Sequence, residues 1–174
     1  MKIEDVKKEI RDIIDFPIPG IIFKDLTTAF KSAECMKFFE EEMYRLYKDS
    51  GITKVVGIES RGFIMAPILG NKLGVGFVPV RKKGKLPAET IEVSYSKEYG
   101  TDTIQIHKDA LSPEDVVLLH DDLLATGGTM KAACDLVRKF GVKKIYVNFL
   151  VELDALEGRK LFDADIQVDS LLHY

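Results

Sequence analysis

Val116-Val117-Leu118-Leu119-His120-Asp121-Asp122-Leu123-Leu124-Ala125-Thr126-Gly127-Gly128-Thr129 is the stretch around which the chain is organised. Val116 to Leu119 is an uninterrupted apolar run, the mark of a strand buried on both faces. Two adjacent carboxylates follow, where that strand is expected to end. A small-residue loop, 125–129, comes next. Beyond it lies a helical pattern from Met130 to Phe140, with Ala133, Leu136, Val137 and Phe140 on one side.

That order has a physical meaning. In open α/β sheets ligands sit beyond the carboxyl ends of the strands, and a helix N-terminus offers unpaired N–H groups and partial positive charge to an anion. Gly127 and Gly128 let the backbone approach closely, and Thr126 and Thr129 add hydroxyl donors, so the loop forms a cup for one phosphate. Asp121 and Asp122 would repel that phosphate; they suit neutral hydroxyls or a cation on the rest of the ligand. Together the two halves describe a sugar phosphate. An ordinary strand–turn–helix junction whose acids cap the helix would explain either half alone, but not the combination. Neither a Gly-x-x-x-x-Gly-Lys-Ser/Thr string nor a Gly-x-Gly-x-x-Gly string occurs, which argues against two other phosphate-binding designs.

The bulk properties set bounds. At 174 residues the chain fits one domain, 1–174, with a real core. With 46% hydrophobic and 30% charged residues it has an ordinary globular composition. A formal net charge of −3 gives no support for a nucleic-acid or membrane binder. Cys35 and Cys134 lie in helical patterns with apolar neighbours and are expected to be buried thiols. His107, His120 and His173 are scattered, without metal-ligand spacing. The charged start, Met1 to Asp5, has no apolar segment of a secretory leader. No apolar run approaches membrane-spanning length. A cytoplasmic protein is expected.

Along the chain, Ile3, Val6, Ile10, Ile13 and Ile14 predict an amphipathic helix over 2–14, broken by Pro17, Pro19 and Gly20. A second helix is expected from a Ser32 cap through Tyr47. Strands are expected at 54–58 and 75–80, flanking a helix over 62–73 in which Pro67 produces a kink or a late start. The alternation of Ile91, Val93 and Tyr95, and of Ile104 and Ile106, predicts a half-exposed antiparallel hairpin. Another strand over 144–151, a short helix over 154–157 and a last strand over 166–172 complete an α/β pattern: a mostly parallel sheet with helices on both faces.

Three loops at strand ends carry chemistry. Glu59-Ser60-Arg61-Gly62 offers the Arg61 fork to phosphate oxygens. Arg81-Lys82-Lys83-Gly84-Lys85 packs four cations into five residues, which suits a polyanion or a solvated loop. Tyr95-Ser96-Lys97-Glu98-Tyr99-Gly100 is a polar hairpin tip.

These stretches together resemble the type I phosphoribosyltransferases. Asp-Asp-Leu-Leu-Ala-Thr-Gly-Gly-Thr-Met is similar to their phosphoribosyl-diphosphate motif, and Phe16 to Asp25 resembles the N-terminal hood of those that act on adenine. The match runs through nearly the whole chain, in order. It implies that fold, with a hood mainly over 1–30 and a flap over about 90–107. It implies transfer of the phosphoribosyl group from 5-phospho-α-D-ribose 1-diphosphate to adenine, giving AMP and diphosphate, in a homodimer using Mg²⁺ carried mainly by the substrate and helped by Asp121 and Asp122.

The site residues follow residue by residue. Ala125, Thr126, Gly127, Gly128 and Thr129 would anchor the 5′-phosphate. Ser60, Arg61, Arg81 and Lys85 would hold diphosphate, Arg81 in some relatives across the dimer interface. Arg61, Asp121 and Asp122 would serve catalysis, with Glu98 handling the base's proton and Tyr99 in the closing flap. Ile22, Lys24 and Leu153 would bound adenine. The resemblance also implies an unusual backbone geometry beside Arg61, such as a cis bond at Glu59–Ser60. Two features depart from the pattern: Lys24 stands where many relatives carry arginine, and His120 replaces an aliphatic residue, with packing under the sheet as the preferred reading. The rival readings are a 6-oxopurine enzyme, and a non-catalytic sensor of phosphoribosyl diphosphate, which would need room for a DNA-binding domain.

Overall fold

The computed structural model describes residues 1–16, 19–96 and 100–174. Helix α1 (Ile3–Glu9) is followed by strand β1 (Arg11–Ile14), which pairs antiparallel with β2 (Ile22–Asp25) in a separate two-stranded sheet, Ile14 opposite Ile22 and Asp12 opposite Lys24. The helix expected over 2–14 is therefore half as long. Ile13 and Ile14 meet the helical period by coincidence, and the non-local partner β2 draws them into a strand. A short helix α2 (Thr27–Phe30) follows, then α3 (Ala33–Tyr47), whose Ser32 cap accepts the Cys35 N–H at 3.4 Å.

The main sheet follows: β3 (Lys54–Ile58), α4 (Gly62–Leu73), β4 (Gly76–Lys82), the hairpin β5 (Thr90–Ser96) and β6 (Thr101–His107), β7 (Val116–Leu124), α5 (Gly128–Arg138), β8 (Lys144–Glu152) and β9 (Gln167–His173). Two 3₁₀ turns, Asp154–Leu156 and Gly158–Leu161, replace the short helix expected after β8. The seven strands lie in the order β5-β6-β4-β3-β7-β8-β9, parallel from β4 through β9, with the hairpin antiparallel at one edge. This is an α/β sheet with helices on both faces. Val56, Leu119 and Val147 pack with Leu136 and Val137 of α5 on one side, and Val55 and Leu118 pack with Phe39 and Met43 of α3 and Met65 and Leu69 of α4 on the other. Each fully buried side chain of this size contributes roughly 1.5–3 kcal/mol of transfer free energy. Pro67 sits inside α4, which starts at Gly62 as expected.

Two of the boundaries that move matter for function. Strand β7 does not stop before the acids but runs through them to Leu124, because β8 continues alongside, with Leu123 opposite Val151 and Leu124 opposite Glu152. Strand β4 likewise takes in Arg81 and Lys82, paired with Gln105 and Ile104 of β6, so the basic segment begins inside a strand. Cys35 and Cys134 are free and buried, as expected.

Candidate active site

The parallel register brings the carboxyl ends of β3, β4 and β7 to one edge: Ile58 lies opposite Val80, and Gly57 opposite His120. The next residues along these strands are Glu59, Arg81 and Asp121. All three line a cleft of about 200 Å³ together with Tyr95 of the hairpin and Thr129 of α5. The peptide between Glu59 and Ser60 is cis.

Strand alternation splits the acid pair. Asp121 faces the cleft. Asp122 turns to the opposite side, almost fully buried, with Oδ2 2.9 Å from Arg61 Nε. That contact is a charge contact rather than an aligned hydrogen bond, since Oδ2 has no such bond. Arg61 precedes α4, and its guanidinium carbon lies 5.3 Å from the Phe23 ring centroid of β2, so one side chain joins the acid pair to the hood. The approach is close because position 62 is glycine: a Cβ there would stand 2.7 Å from the His120 carbonyl oxygen. Burial raises the Asp121 carboxyl well above its ordinary value, and the neighbouring Asp122 charge raises it further. Asp122 is also raised, by burial, which outweighs the opposing pull of Arg61.

Glu59 was not singled out by the sequence. Its carboxylate accepts Arg81 Nε at 3.2 Å and the Lys82 amide at 2.9 Å. Burial acts to raise its pKa, but these donors outweigh it and hold the carboxyl below its ordinary value. It fixes Arg81 as a fork over the cleft, and Arg81 Nη1 also donates to the Lys85 carbonyl at 3.2 Å. The Lys85 side chain is exposed, as is Ser60. The signal that could have found Glu59 is positional: it is the first residue after a buried run, as Arg81 and Asp121 are.

Residues 125–127 connect β7 to α5, whose first residues are Gly128 and Thr129. Gly127, with φ 85°, occupies the N-cap position of this 11-residue helix, a left-handed conformation that suits glycine. Its α-carbon packs against Gly158, where a Cβ would collide with the Ala125 carbonyl oxygen. Gly158 therefore supports the loop from below, a role its sequence context did not signal. The Tyr95 hydroxyl lies 2.9 Å from Thr129 Oγ1, tying the hairpin to the loop. Glu98 and Tyr99 lie outside the described residues.

Ile22, Lys24 and Leu153 come together, lining an apolar cavity of about 420 Å³ with Leu156 and Tyr174. Lys24 Nζ is 2.6 Å from Asp12 Oδ1. Strand β2 has a single sheet partner among the described residues, so alternate N–H and C=O groups on its outer edge are left for a ligand. His120 packs under the sheet, fully buried, with Nδ1 2.9 Å from Asn148 Oδ1. Burial lowers its pKa to about 4, partly opposed by the Asn148 hydrogen bonds, so the ring is neutral.

The chain matches the family model of the phosphoribosyl transferase domain over residues 30–171. It is 64% identical over 172 residues to the adenine phosphoribosyltransferase of Bacteroides thetaiotaomicron, covering 99% of this chain and 98% of that protein. The crystal structure of adenine phosphoribosyltransferase from Rhodothermus marinus superposes with a TM-score of 0.92 at 48% identity, covering 99% of this chain and 98% of that one. The Giardia lamblia enzyme complexed with 9-deazaadenine gives a TM-score of 0.92 at 45% identity, covering 100% and 98%.

Proposed function

The chain belongs to the phosphoribosyl transferase family, and from that membership we propose that it is the purine-salvage enzyme that transfers the phosphoribosyl group of 5-phospho-α-D-ribose 1-diphosphate to adenine, giving AMP and diphosphate. The observation that carries the reading is the divided acid pair, Asp121 on the cleft and Asp122 on Arg61, between a phosphate cup and a basic wall.

The roles are those the family pattern implies, and the arrangement of the cleft supports them. The N–H groups of 125–129 and the Thr126 and Thr129 hydroxyls hold the 5′-phosphate, aided by the α5 terminus. Arg81, set by Glu59, holds diphosphate together with Arg61, Lys85 and Ser60. N9 of adenine attacks the anomeric carbon, the bond to diphosphate breaks and its electron pair leaves with the diphosphate. Positive charge grows on the ribose; Asp121, on the cleft, holds the hydroxyls, and the buried Asp122, paired with Arg61, acts from behind it. Catalysis is thus mainly positioning and electrostatics. Glu98 takes the proton released from the base, and Tyr99 belongs to the flap that excludes water. The base sits where β2 faces Leu153. Ile22 and Lys24 present backbone groups, and the open edge of β2 suits the acceptor–donor edge of adenine.

Asp121 sets a carboxyl on the cleft, while its neighbour Asp122 engages Arg61. This fits Mg²⁺, which Asp121 would help hold. Such a cation supplies neutralisation of the diphosphate's charge.

The same reading makes the chain one domain with hood and flap, and a cytoplasmic homodimer. Two unpaired buried cysteines support a reducing compartment. Phe77, partly exposed beside Phe63, supports a subunit contact, which a measurement of mass in solution tests. Among the described residues no helix is long and apolar enough to cross a membrane.

Incubation of the protein with Mg²⁺, phosphoribosyl diphosphate and each base in turn tests the activity. AMP from adenine is expected. Product from hypoxanthine but not adenine would overturn the substrate, and no product with any base would overturn the reaction.

A further inference from the structure

Tyr174 touches both walls of the base site. Its amide donates to the Glu152 carbonyl at 3.0 Å, and its carbonyl accepts the Asp154 amide at 2.9 Å. These two bonds bracket Leu153. Its ring reaches the other wall: Lys24 Nζ of β2 stands 4.2 Å from the ring centroid, and Lys7 Nζ of α1 stands 4.8 Å away. Lys7 Nζ also donates to the His173 carbonyl at 2.6 Å. The ring lines the cavity shared by Ile22, Lys24 and Leu153.

We propose that Tyr174 is a positioning residue for adenine, its backbone pinned beside Leu153 and its ring fastening Lys24 and Lys7 so that the hood strand keeps its distance from Leu153. The proposal rests on the assignment of adenine to that gap. Two observations give it force. The Lys24 side chain is only 14% exposed, so its ammonium has little water to fall back on and the ring contact weighs more than a surface one. Among the described residues the sheet β1–β2 has two strands and pairs with no other sheet, and such a ribbon is marginal alone. Its placement depends on side-chain fastenings such as this one. The arrangement also answers the replacement of arginine by lysine at position 24. A lysine has no fork to fix its own direction, and here Asp12 and the Tyr174 ring fix it.

The test is steady-state kinetics on the full chain, with thermal melts to confirm that each variant is folded. Tyr174→Leu keeps an apolar side chain but loses the ring. It should raise the KM for adenine about five- to tenfold, with the KM for phosphoribosyl diphosphate and kcat within about twofold of the parent. Tyr174→Phe keeps the ring and should restore the parent's adenine KM. Lys7→Met, at a half-buried position of α1, covers the case of a Leu variant that fails to fold; it should raise the adenine KM about two- to threefold. An unchanged adenine KM in Tyr174→Leu or, where that variant does not fold, in Lys7→Met would overturn the proposal. So would equal rises in both KM values, or a Phe variant as impaired as the Leu variant. Each of these is read against a parent that makes AMP. A parent that makes none would sink the assignment of adenine, and this proposal with it.

Discussion

Removing either partner of the Arg61–Asp122 pair should abolish efficient turnover, but only one removal should damage the fold. At 2.9 Å and an effective dielectric constant of about 20, the gross attraction is roughly 6 kcal/mol. The cost falls unequally: the Asp122 side chain is 2% exposed and that of Arg61 37%. Burial raises the Asp122 pKa despite the guanidinium, so the charge on Asp122 costs more than the pair returns. Asp122→Asn removes that desolvation cost at nearly constant shape and leaves Arg61 free to hydrate. It should melt at or above the parent temperature at pH 7. Arg61→Met leaves two neighbouring carboxylates without their guanidinium. Breaking a fully buried pair costs about 3–5 kcal/mol; because Arg61 is more than a third exposed and Asp122 can take up a proton, we expect about 2 kcal/mol, or some 4–8 °C of melting temperature for a domain of this size. Both variants should lose about 10²- to 10³-fold in kcat, the usual cost of removing one preorganised charge, and the double variant Asp121→Asn with Asp122→Asn should fold and turn over no faster. The pH dependence has a definite sign. Both acids have folded pKa values above the ordinary 3.8, so their contribution to stability is complete below that pH and is lost as pH rises through the folded values. Asp122→Asn should flatten that decline. Thermal melts across pH and initial rates of AMP formation measure both halves. An Asp122→Asn protein that melts several degrees low, or that keeps a third of its turnover, would refute the reasoning.

Gly158→Ala should push the Ala125 carbonyl out of place, costing about 1–3 kcal/mol as overpacking and raising the KM for phosphoribosyl diphosphate more than that for adenine; kinetics with each substrate varied reports it, and an unaltered diphosphate KM would contradict the supporting role. The buried neutral His120, with a pKa lowered to about 4, contributes stability that is complete above its ordinary 6.5 and is lost as pH falls towards 4. Denaturant titrations between pH 7 and 4.5 should show the parent losing up to about 1.4 kcal/mol per pH unit relative to His120→Leu, and parallel pH curves would count against it. Tyr95→Phe removes the 2.9 Å contact with Thr129 and should lower kcat/KM about fivefold through the loss of one hydrogen bond, with melting temperature little changed; a kcat/KM equal to the parent's would mean that the hairpin closes without it.

What could be read from the sequence was local. The apolar run of β7, the acids and the glycine turn are contiguous, so a strand, an acid pair and a turn into a helix could be read directly. What could not be read depends on partners distant in the chain. Ile13 and Ile14 fit a helix until β2 is placed beside them, and Glu59 becomes the residue that aims Arg81 only once β3 and β4 are in register. Gly158 gives no local sign of lying under the loop after β7, because Glu157-Gly158-Arg159 has the form of any turn.

The misplaced boundary with the largest chemical consequence is the end of β7. Were Asp121 and Asp122 the first residues of a loop, nothing would stop both carboxylates from turning to the same ligand, and their mutual repulsion would be relieved by flexing apart. Kept in the strand by β8, with Asp121 opposite Phe149, they must point to opposite faces. One is thereby committed to the cleft, and the other to Arg61, which also touches Phe23 of the hood. On the proposed function, a carboxylate that faces away from the cleft would still govern catalysis, because its guanidinium partner also reaches the hood strand.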